Sequence, residues 1–451
     1  MHLGKVNNIH FIGIGGIGMS ALAKYFIFKG INVSGYDKTQ TSLTNELSRL
    51  GAIIHFQEDL ELVPFINEID LVVYTPAISK NHSQLLFFRQ KKIPVLKRAK
   101  VLGLITKEYV TIAIAGTHGK TTCSSIAAHI LSSSEKIGVA FLGGLATNYN
   151  SNVILSNKNL AVVEADEYDR SFLELTPSTI LLTSVDADHL DIYEKKVNVE
   201  KTFLNFVKLV KNKKKLIVEE GLKSLVKDCL TYGFSANADL RIVNILIKEN
   251  HYNFDFVYKN KKYEGFKFKL PGKHNLLNAI GASFSCLLNG VSFSQIRDGL
   301  ATFSGVKRRF EIYLENPDYV VLDDYAHHPK EIDVLISAIR EFFPNRYVKG
   351  IFQPHLFSRT RDFMKEFASS LSNLDELFLL PIYPAREQPI EGISSGNLLK
   401  QVNLKNKFLV KKHEDFYSKL LSKKSTVIVT IGAGDVDLHL KPTIDLIQKN
   451  V

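Results

Sequence analysis

The chain has 451 residues, 45% hydrophobic and 23% charged, with a formal net charge of +11. That length exceeds one ordinary hydrophobic core and predicts two or three domains, with three preferred. No apolar run reaches the roughly 18 to 20 residues of a membrane span, no signal-peptide layout opens the chain, and the scattered lysines argue against a nucleic-acid partner.

The first predicted elements are a strand at Ile9 to Ile14, the run Gly13-Ile14-Gly15-Gly16-Ile17-Gly18, a helix from Met19 to Lys29, and a strand from Ile31 to Tyr36 ending at Asp37. A strand, glycine turn, helix and second strand, with an acid 19 residues after Gly18, suits a diphosphate at a helix N-terminus and an acid near a ribose hydroxyl. Another strand, Asp70 to Tyr74, stops at Thr75-Pro76, and the first domain is expected over residues 1–107.

A second α/β unit follows over residues 108–311. Val110 to Ala115 read as a buried strand, Gly116-Thr117-His118-Gly119-Lys120-Thr121-Thr122 as a turn, and Cys123 to Leu131 as a helix. Ile114 occupies the first glycine position of the general phosphate-loop pattern, so the strict pattern fails there. The strand-turn-helix setting still supplies glycines that let the main chain wrap a phosphate. It also supplies Lys120 to neutralise β- and γ-phosphates, and Thr121 to offer a hydroxyl to Mg²⁺. Glu164 ends the next buried strand, a position from which a carboxylate can complete a Mg²⁺ shell, although a capped surface acid after a strand explains it too. Thr179 to Ser184 form a third strand, leading into Asp186, Asp188 and His189; His189 reads equally well as a site residue or a surface one. His118 either shapes the turn or faces substrate, and Asp166 and Glu167 support the site or are plain surface acids. Asp239 to Leu270 look like a small sheet appended to this domain. Asn275, near a helix start, carries an amide suited to an adenine edge, although helix capping explains it too.

The third unit, expected over residues 312–451, begins with a strand into Asp323-Asp324-Tyr325-Ala326-His327-His328-Pro329 and a helix from Glu331 to Phe342. Arg308 and Arg309 precede it, adjacent arginines that either suit a carboxylate or phosphate or simply face solvent. Cys123, Cys229 and Cys286, three widely spaced cysteines, argue against a disulfide framework and fit a reducing cytoplasm.

Taken together, these stretches resemble the Mur ligase family, bacterial enzymes that build the peptidoglycan precursor. The resemblance rests on Phe11 to Ser20, Ala115 to Thr122, Glu164 to Phe172, Asp186 to Tyr193, Gly272 to Ala279, Arg308-Arg309-Phe310, Asp323 to Pro329, Gln353-Pro354-His355, Arg359-Thr360-Arg361 and Tyr383-Pro384-Ala385. It implies an N-terminal Rossmann-like domain for a uridine nucleotide, a central ATPase-like domain with a mostly parallel sheet, and a C-terminal Rossmann-like domain. The implied reaction is that of the branch adding alanine to UDP-N-acetylmuramate, through an acyl phosphate.

By the same resemblance, Gly13, Gly15, Gly16, Gly18, Met19 and Asp37 would bind the nucleotide sugar. Gly116 to Thr122, Asn275 and Asp324 would bind ATP, with Lys120 on its phosphates. Thr121, Glu164 and His189 would hold Mg²⁺. Arg308, Arg309, Tyr325 and His327 would lie around the muramoyl carboxylate and the incoming alanine, with His327 a candidate base. Tyr168 stands where the family motif has serine, and Ser184 where it has asparagine. No nucleic-acid partner is expected, and the oligomeric state is expected to be a monomer or weak homodimer. The competing readings are a nicotinamide-dependent dehydrogenase built on Gly13 to Asp37, a ligase attaching an intact tripeptide, and a non-enzymatic phosphate-loop switch.

Overall fold

The computed structural model describes residues 3–186, 196–385, 387–410, 416–421, 423 and 425–450. Among them, three sheets form a three-domain α/β architecture. By compactness the chain gathers into two units, Met1–Ile245 with Asn253–Phe268 and Leu277–Ser304, and Leu246–Tyr252 with Lys269–Leu276 and Gly305–Val451.

The first sheet contains β1 (Asn8–Ile12), β2 (Asn32–Tyr36), β3 (Ile53–His55), β4 (Leu71–Tyr74) and β5 (Val95–Lys97), in the order β3-β2-β1-β4-β5. All its pairings are parallel. Strand order reverses between β1 and β4, so the crevice beyond their C-terminal ends is where such a sheet binds ligand. The glycine turn follows β1, and Thr75 follows β4.

The central sheet contains β6 (Val110–Ala115), β7 (Ile137–Ala146), β8 (Ser151–Leu155), β9 (Leu160–Glu164), β10 (Thr179–Leu182), β11 (Leu216–Glu219), β12 (Leu230–Gly233), β13 (Leu240–Lys248), β14 (His251–Tyr258) and β15 (Lys261–Phe268). Its order is β15-β14-β13-β12-β11-β10-β6-β9-β7-β8. The segment expected as an appended small sheet is therefore continuous with the main one, through parallel pairing of β13 on β12. Burial of β6 on both faces explains its near-continuous apolar run, broken only by Thr111 and including Ile114. Flanked by β10 and β9, β6 delivers its loop between the ends of two neighbours. In the first unit one apolar cluster runs from Phe11 and Phe26 through Phe141 and Val163 to Phe172 and Phe206, joining the first two sheets around a shared core.

The third sheet contains β16 (Glu311–Glu315), β17 (Tyr319–Asp324), β18 (Tyr347–Phe352), β19 (Glu376–Leu379), β20 (Lys407–Leu409) and β21 (Thr426–Ile431). Its order is β16-β17-β21-β18-β19-β20, with only β16 antiparallel to its neighbour among the described pairings.

Candidate active site

In the first sheet, Gly13 adopts φ 86° immediately after β1, and its N–H donates to Tyr36 O at 2.7 Å. Gly15 N–H donates to Asp37 Oδ2 at 2.7 Å, and Thr39 N–H donates to Asp37 Oδ1 at 3.1 Å. Oδ2 of Asp37 therefore braces the glycine turn while Oδ1 holds the segment after β2, a task the spacing to a ribose hydroxyl did not disclose. The helix Ile17–Phe28 starts from Gly16 with no side-chain cap, which leaves its first N–H groups for an anion. Gly16, Gly18 and the largely buried Met19 line a cavity of about 250 Å³, together with Thr75, Arg98 and Glu164. Arg98 lies against Gly18 and pairs with Asp166 at 3.5 Å. Nothing in the local sequence marks Arg98; it comes from a different helix, Arg98–Thr106.

The phosphate loop is tightly specified. Gly116 has φ 142° and Gly119 φ 80°, values that L side chains rarely adopt, and the helix Lys120–Ser133 begins without a side-chain cap. A Cβ at Gly119 would collide with Asn278. The residues after β10 hold the loop from below. Thr117 N–H donates to Ser184 O at 3.2 Å, and His118 N–H to Ser184 Oγ at 2.9 Å. Thr183 Oγ1 donates to His118 O at 2.6 Å. Ser184, a departure from the family motif, thus supplies a direct brace to the loop. The His118 ring lies 3.4 Å from Asp186, which fits a role in shaping the turn. Thr122, in the first turn of the helix Lys120–Ser133, is buried.

Lys120 Nζ donates to Gly116 O at 2.6 Å and Thr117 O at 3.3 Å, and pairs with Glu167 Oε1 at 2.9 Å. Burial pushes the Lys120 pKa down, yet the Glu167 and Glu164 carboxylates outweigh it and hold the pKa above the usual lysine range. Thr121 Oγ1 donates to Glu164 Oε1 at 3.0 Å, and Gly143 N–H donates to Glu164 Oε2 at 2.8 Å. Burial raises the Glu164 pKa despite Lys120, Thr121 and Gly143, so a cation there would recover a large desolvation cost. No group of three or more His, Cys, Asp or Glu gathers into a metal cage among the described residues. One carboxylate and one hydroxyl nevertheless suit Mg²⁺, which keeps several waters and substrate phosphates as ligands. His189 lies outside the described residues. Cys123 is buried and free, its thiol pKa raised by burial, as a packing residue would be.

On the helix Lys273–Leu287, Asn275 is buried and its Nδ2 donates to Pro271 O at 2.8 Å. Within the second unit, Arg308 directs its guanidinium to Asp323 Oδ2 at 3.0 Å, Gly434 O at 3.0 Å and Gly432 O at 2.8 Å. Those bonds commit Arg308 to holding the 432–434 turn against β17. Arg308 and Arg309 both lie over the Tyr325 ring, at 5.2 and 5.4 Å from its centre. Asp324 accepts from Phe310 N and Ala326 N, each at 2.8 Å. His327 Nδ1 lies 2.9 Å from Tyr325 O, and burial lowers its pKa, which keeps a neutral imidazole available near pH 7.

A glycine loop ahead of an uncapped helix, a carboxylate–hydroxyl pair beside its lysine, and a second glycine turn on a cavity that Glu164 also lines are the parts a nucleotide-consuming enzyme would use. Family models described as "Mur ligase family, catalytic domain", "Mur ligase middle domain" and "Mur ligase, glutamate ligase domain" match residues 8–110, 114–286 and 308–434. The chain belongs to the Mur ligase family. It is 50% identical over 450 residues to the UDP-N-acetylmuramate–L-alanine ligase of Flavobacterium psychrophilum, covering 99% of this chain and 100% of that one. It is 44% identical to the same-named enzyme of Flavobacterium johnsoniae, covering 100% of both. The solved UDP-N-acetylmuramate–alanine ligase of Thermotoga maritima superposes with a TM-score of 0.82 at 27% identity, covering 98% of this chain and 100% of that one. A murein peptide ligase from Psychrobacter arcticus, at 20% identity and TM-score 0.68 over 97% and 98% of the two chains, shares the fold.

Proposed function

We propose that this chain is an ATP-dependent ligase joining L-alanine to the lactyl carboxylate of UDP-N-acetylmuramate, with release of ADP and phosphate, in peptidoglycan synthesis. The observation that carries the reading is the loop: Lys120, Thr121 and Glu164 meet at the N-terminus of an uncapped helix, beside the glycine turn of the first sheet. A dehydrogenase has no use for that lysine and carboxylate.

A carboxylate does not condense with an amine in water, because its leaving group is too poor. Transfer of the γ-phosphoryl to the lactyl carboxylate makes an acyl phosphate, which the alanine amine then attacks, expelling phosphate. Backbone N–H groups of the loop and the Lys120 ammonium are set to stabilise charge on the transferred oxygens. Mg²⁺, held by Thr121, Glu164 and His189 in our assignment, would neutralise charge on the β- and γ-phosphates. Gly13, Gly15, Gly16, Gly18 and Met19 are assigned to the nucleotide sugar, with Asp37 shaping their turn, and Asn275 to adenine. Arg309, Tyr325 and His327 are assigned to the carboxylate and the amine, His327 as the base; Arg308 and Asp324 shape the surrounding turns.

The acceptor is ATP-activated and the cysteines are free, which supports a cytoplasmic setting. No helix among the described residues is long and apolar enough to cross a membrane. A monomer or weak homodimer is expected, readable by sedimentation.

The test is ADP and conjugate formation with ATP, Mg²⁺, UDP-N-acetylmuramate and single amino acids, with the tripeptide as a competitor substrate. Alanine-dependent turnover is expected. Folded, ATP-binding protein that makes no alanine conjugate would overturn the reading. Lys120→Ala should lower kcat by at least about 10³-fold while UDP-N-acetylmuramate binding persists in calorimetry.

A further inference from the structure

We propose that Glu167 is the positioning residue for Lys120, holding its ammonium at the loop before nucleotide arrives. The inference rests on reading that loop as the ATP site. Glu167 lies three residues beyond Glu164, in the acid run Glu164-Ala165-Asp166-Glu167 that ends β9. Three carboxylates on one short segment would ordinarily be read as solvated. Instead each has a separate partner: Glu164 takes Thr121 and Gly143, Asp166 takes Arg98, and Glu167 takes Lys120.

Glu167 is the most deeply placed of the three carboxylates, its side chain 1% exposed against 40% for Asp166, with Glu164 half-buried. A carboxylate this far from water needs its desolvation offset, and the Lys120 ammonium at 2.9 Å is the partner in place to do so. The segment is also fixed. Arg170 N–H donates to Glu167 O at 2.9 Å, and Phe172 N–H to Asp166 O at 3.0 Å. Phe172 is stacked on Phe206 in the core, ring centres 4.4 Å apart. The carboxylate is therefore a rigid stop for a flexible side chain.

Lysine is a point charge on four rotatable methylenes, and the bonds to Gly116 O and Thr117 O tie it only to the loop that nucleotide must occupy. Glu167 supplies an anchor outside the loop, so the ammonium is already oriented when phosphate enters. Ordering it beforehand spares that loss of freedom in the transition state. Removal should then lower kcat far more than it raises KM for ATP.

The test is a double-mutant cycle on the full chain, pairing Glu167→Gln with Lys120→Arg and reading steady-state kinetics, thermal midpoint and binding of a non-hydrolysable ATP analogue. Glu167→Gln should cut kcat by about 10- to 100-fold with little change in KM, and Glu167→Asp should restore part of the loss. In the Lys120→Arg background the same change should add almost nothing. Wild-type kcat in Glu167→Gln, or losses that simply multiply in the double variant, would overturn the proposal. If Glu167→Gln melts early, Glu167→Asp carries the cycle. Wild-type protein that neither binds the analogue nor turns over would sink the ATP-site reading itself, a separate outcome.

Discussion

Asp324 shows what a single side chain can be asked to do. It is partly buried at the end of β17, both oxygens accept backbone N–H groups, and burial raises its pKa to about 6 against the pull of Arg309. A carboxylate whose pKa is higher in the folded state binds more protons there than when unfolded. Its contribution is fully present below the unfolded value near pH 4 and is lost as pH rises through about 6. The stability difference between wild type and Asp324→Asn, from urea unfolding, should therefore move against wild type by up to about 3 kcal/mol between roughly pH 4 and 7. A pH-independent difference would contradict the assigned titration. Asp324 could be picked out of the sequence as polar chemistry at a strand end. Its bond to Ala326 is local, but the one to Phe310 was hidden, because it needs β16 folded back antiparallel on β17. Arg308 is a sharper case: its partners at Gly432 and Gly434 lie more than a hundred residues away, so the sequence offered only a basic pair.

At the scale of elements, β6, its loop and its helix were readable because an apolar run, two glycines and a lysine are local features. The brace beneath the loop was not, since it depends on β10 pairing with β6 in the register Leu182↔Ala115. That register brings Thr183 and Ser184 under His118. The Ser184 hydroxyl accepts from His118 N at 2.9 Å and lies 3.0 Å from Thr117 Oγ1. Ser184→Ala removes both contacts and leaves a loop N–H short of a partner, at about 1–2 kcal/mol. Because the loop must be preformed to receive phosphates, the expectation is KM for ATP raised about tenfold, with KM for UDP-N-acetylmuramate unchanged. Ser184→Asn, which restores the family residue, should stay near wild type. An equal rise in both KM values for Ser184→Ala would instead mean general loosening of the site.

For the molecule as a whole, the sequence revealed three α/β segments but not how firmly the first two are joined. Separate sheets suggested separate bodies, whereas the first unit shares one core and a buried polar tie. Asn152 on β8 is wholly buried, donating from Nδ2 to Ile17 O at 2.5 Å and to Ser20 Oγ at 3.0 Å. Its Oδ1 accepts from Lys24 Nζ at 3.0 Å, and Lys24, itself buried, pairs with Glu46 at 2.8 Å. An edge strand of the central sheet thus holds the first turn of the helix behind the glycine turn. Asn152→Ala leaves a buried ammonium with one anchor fewer and removes a donor from the helix start, which should cost about 2–4 kcal/mol in urea unfolding. Because Ile17 and Ser20 follow directly on Gly16, affinity for UDP-N-acetylmuramate should fall in the same variant. Binding of an ATP analogue should change little, since neither Lys120 nor Glu164 depends on that tie. Destabilisation with both affinities intact would show that the tie joins the domains without shaping the sugar-nucleotide turn.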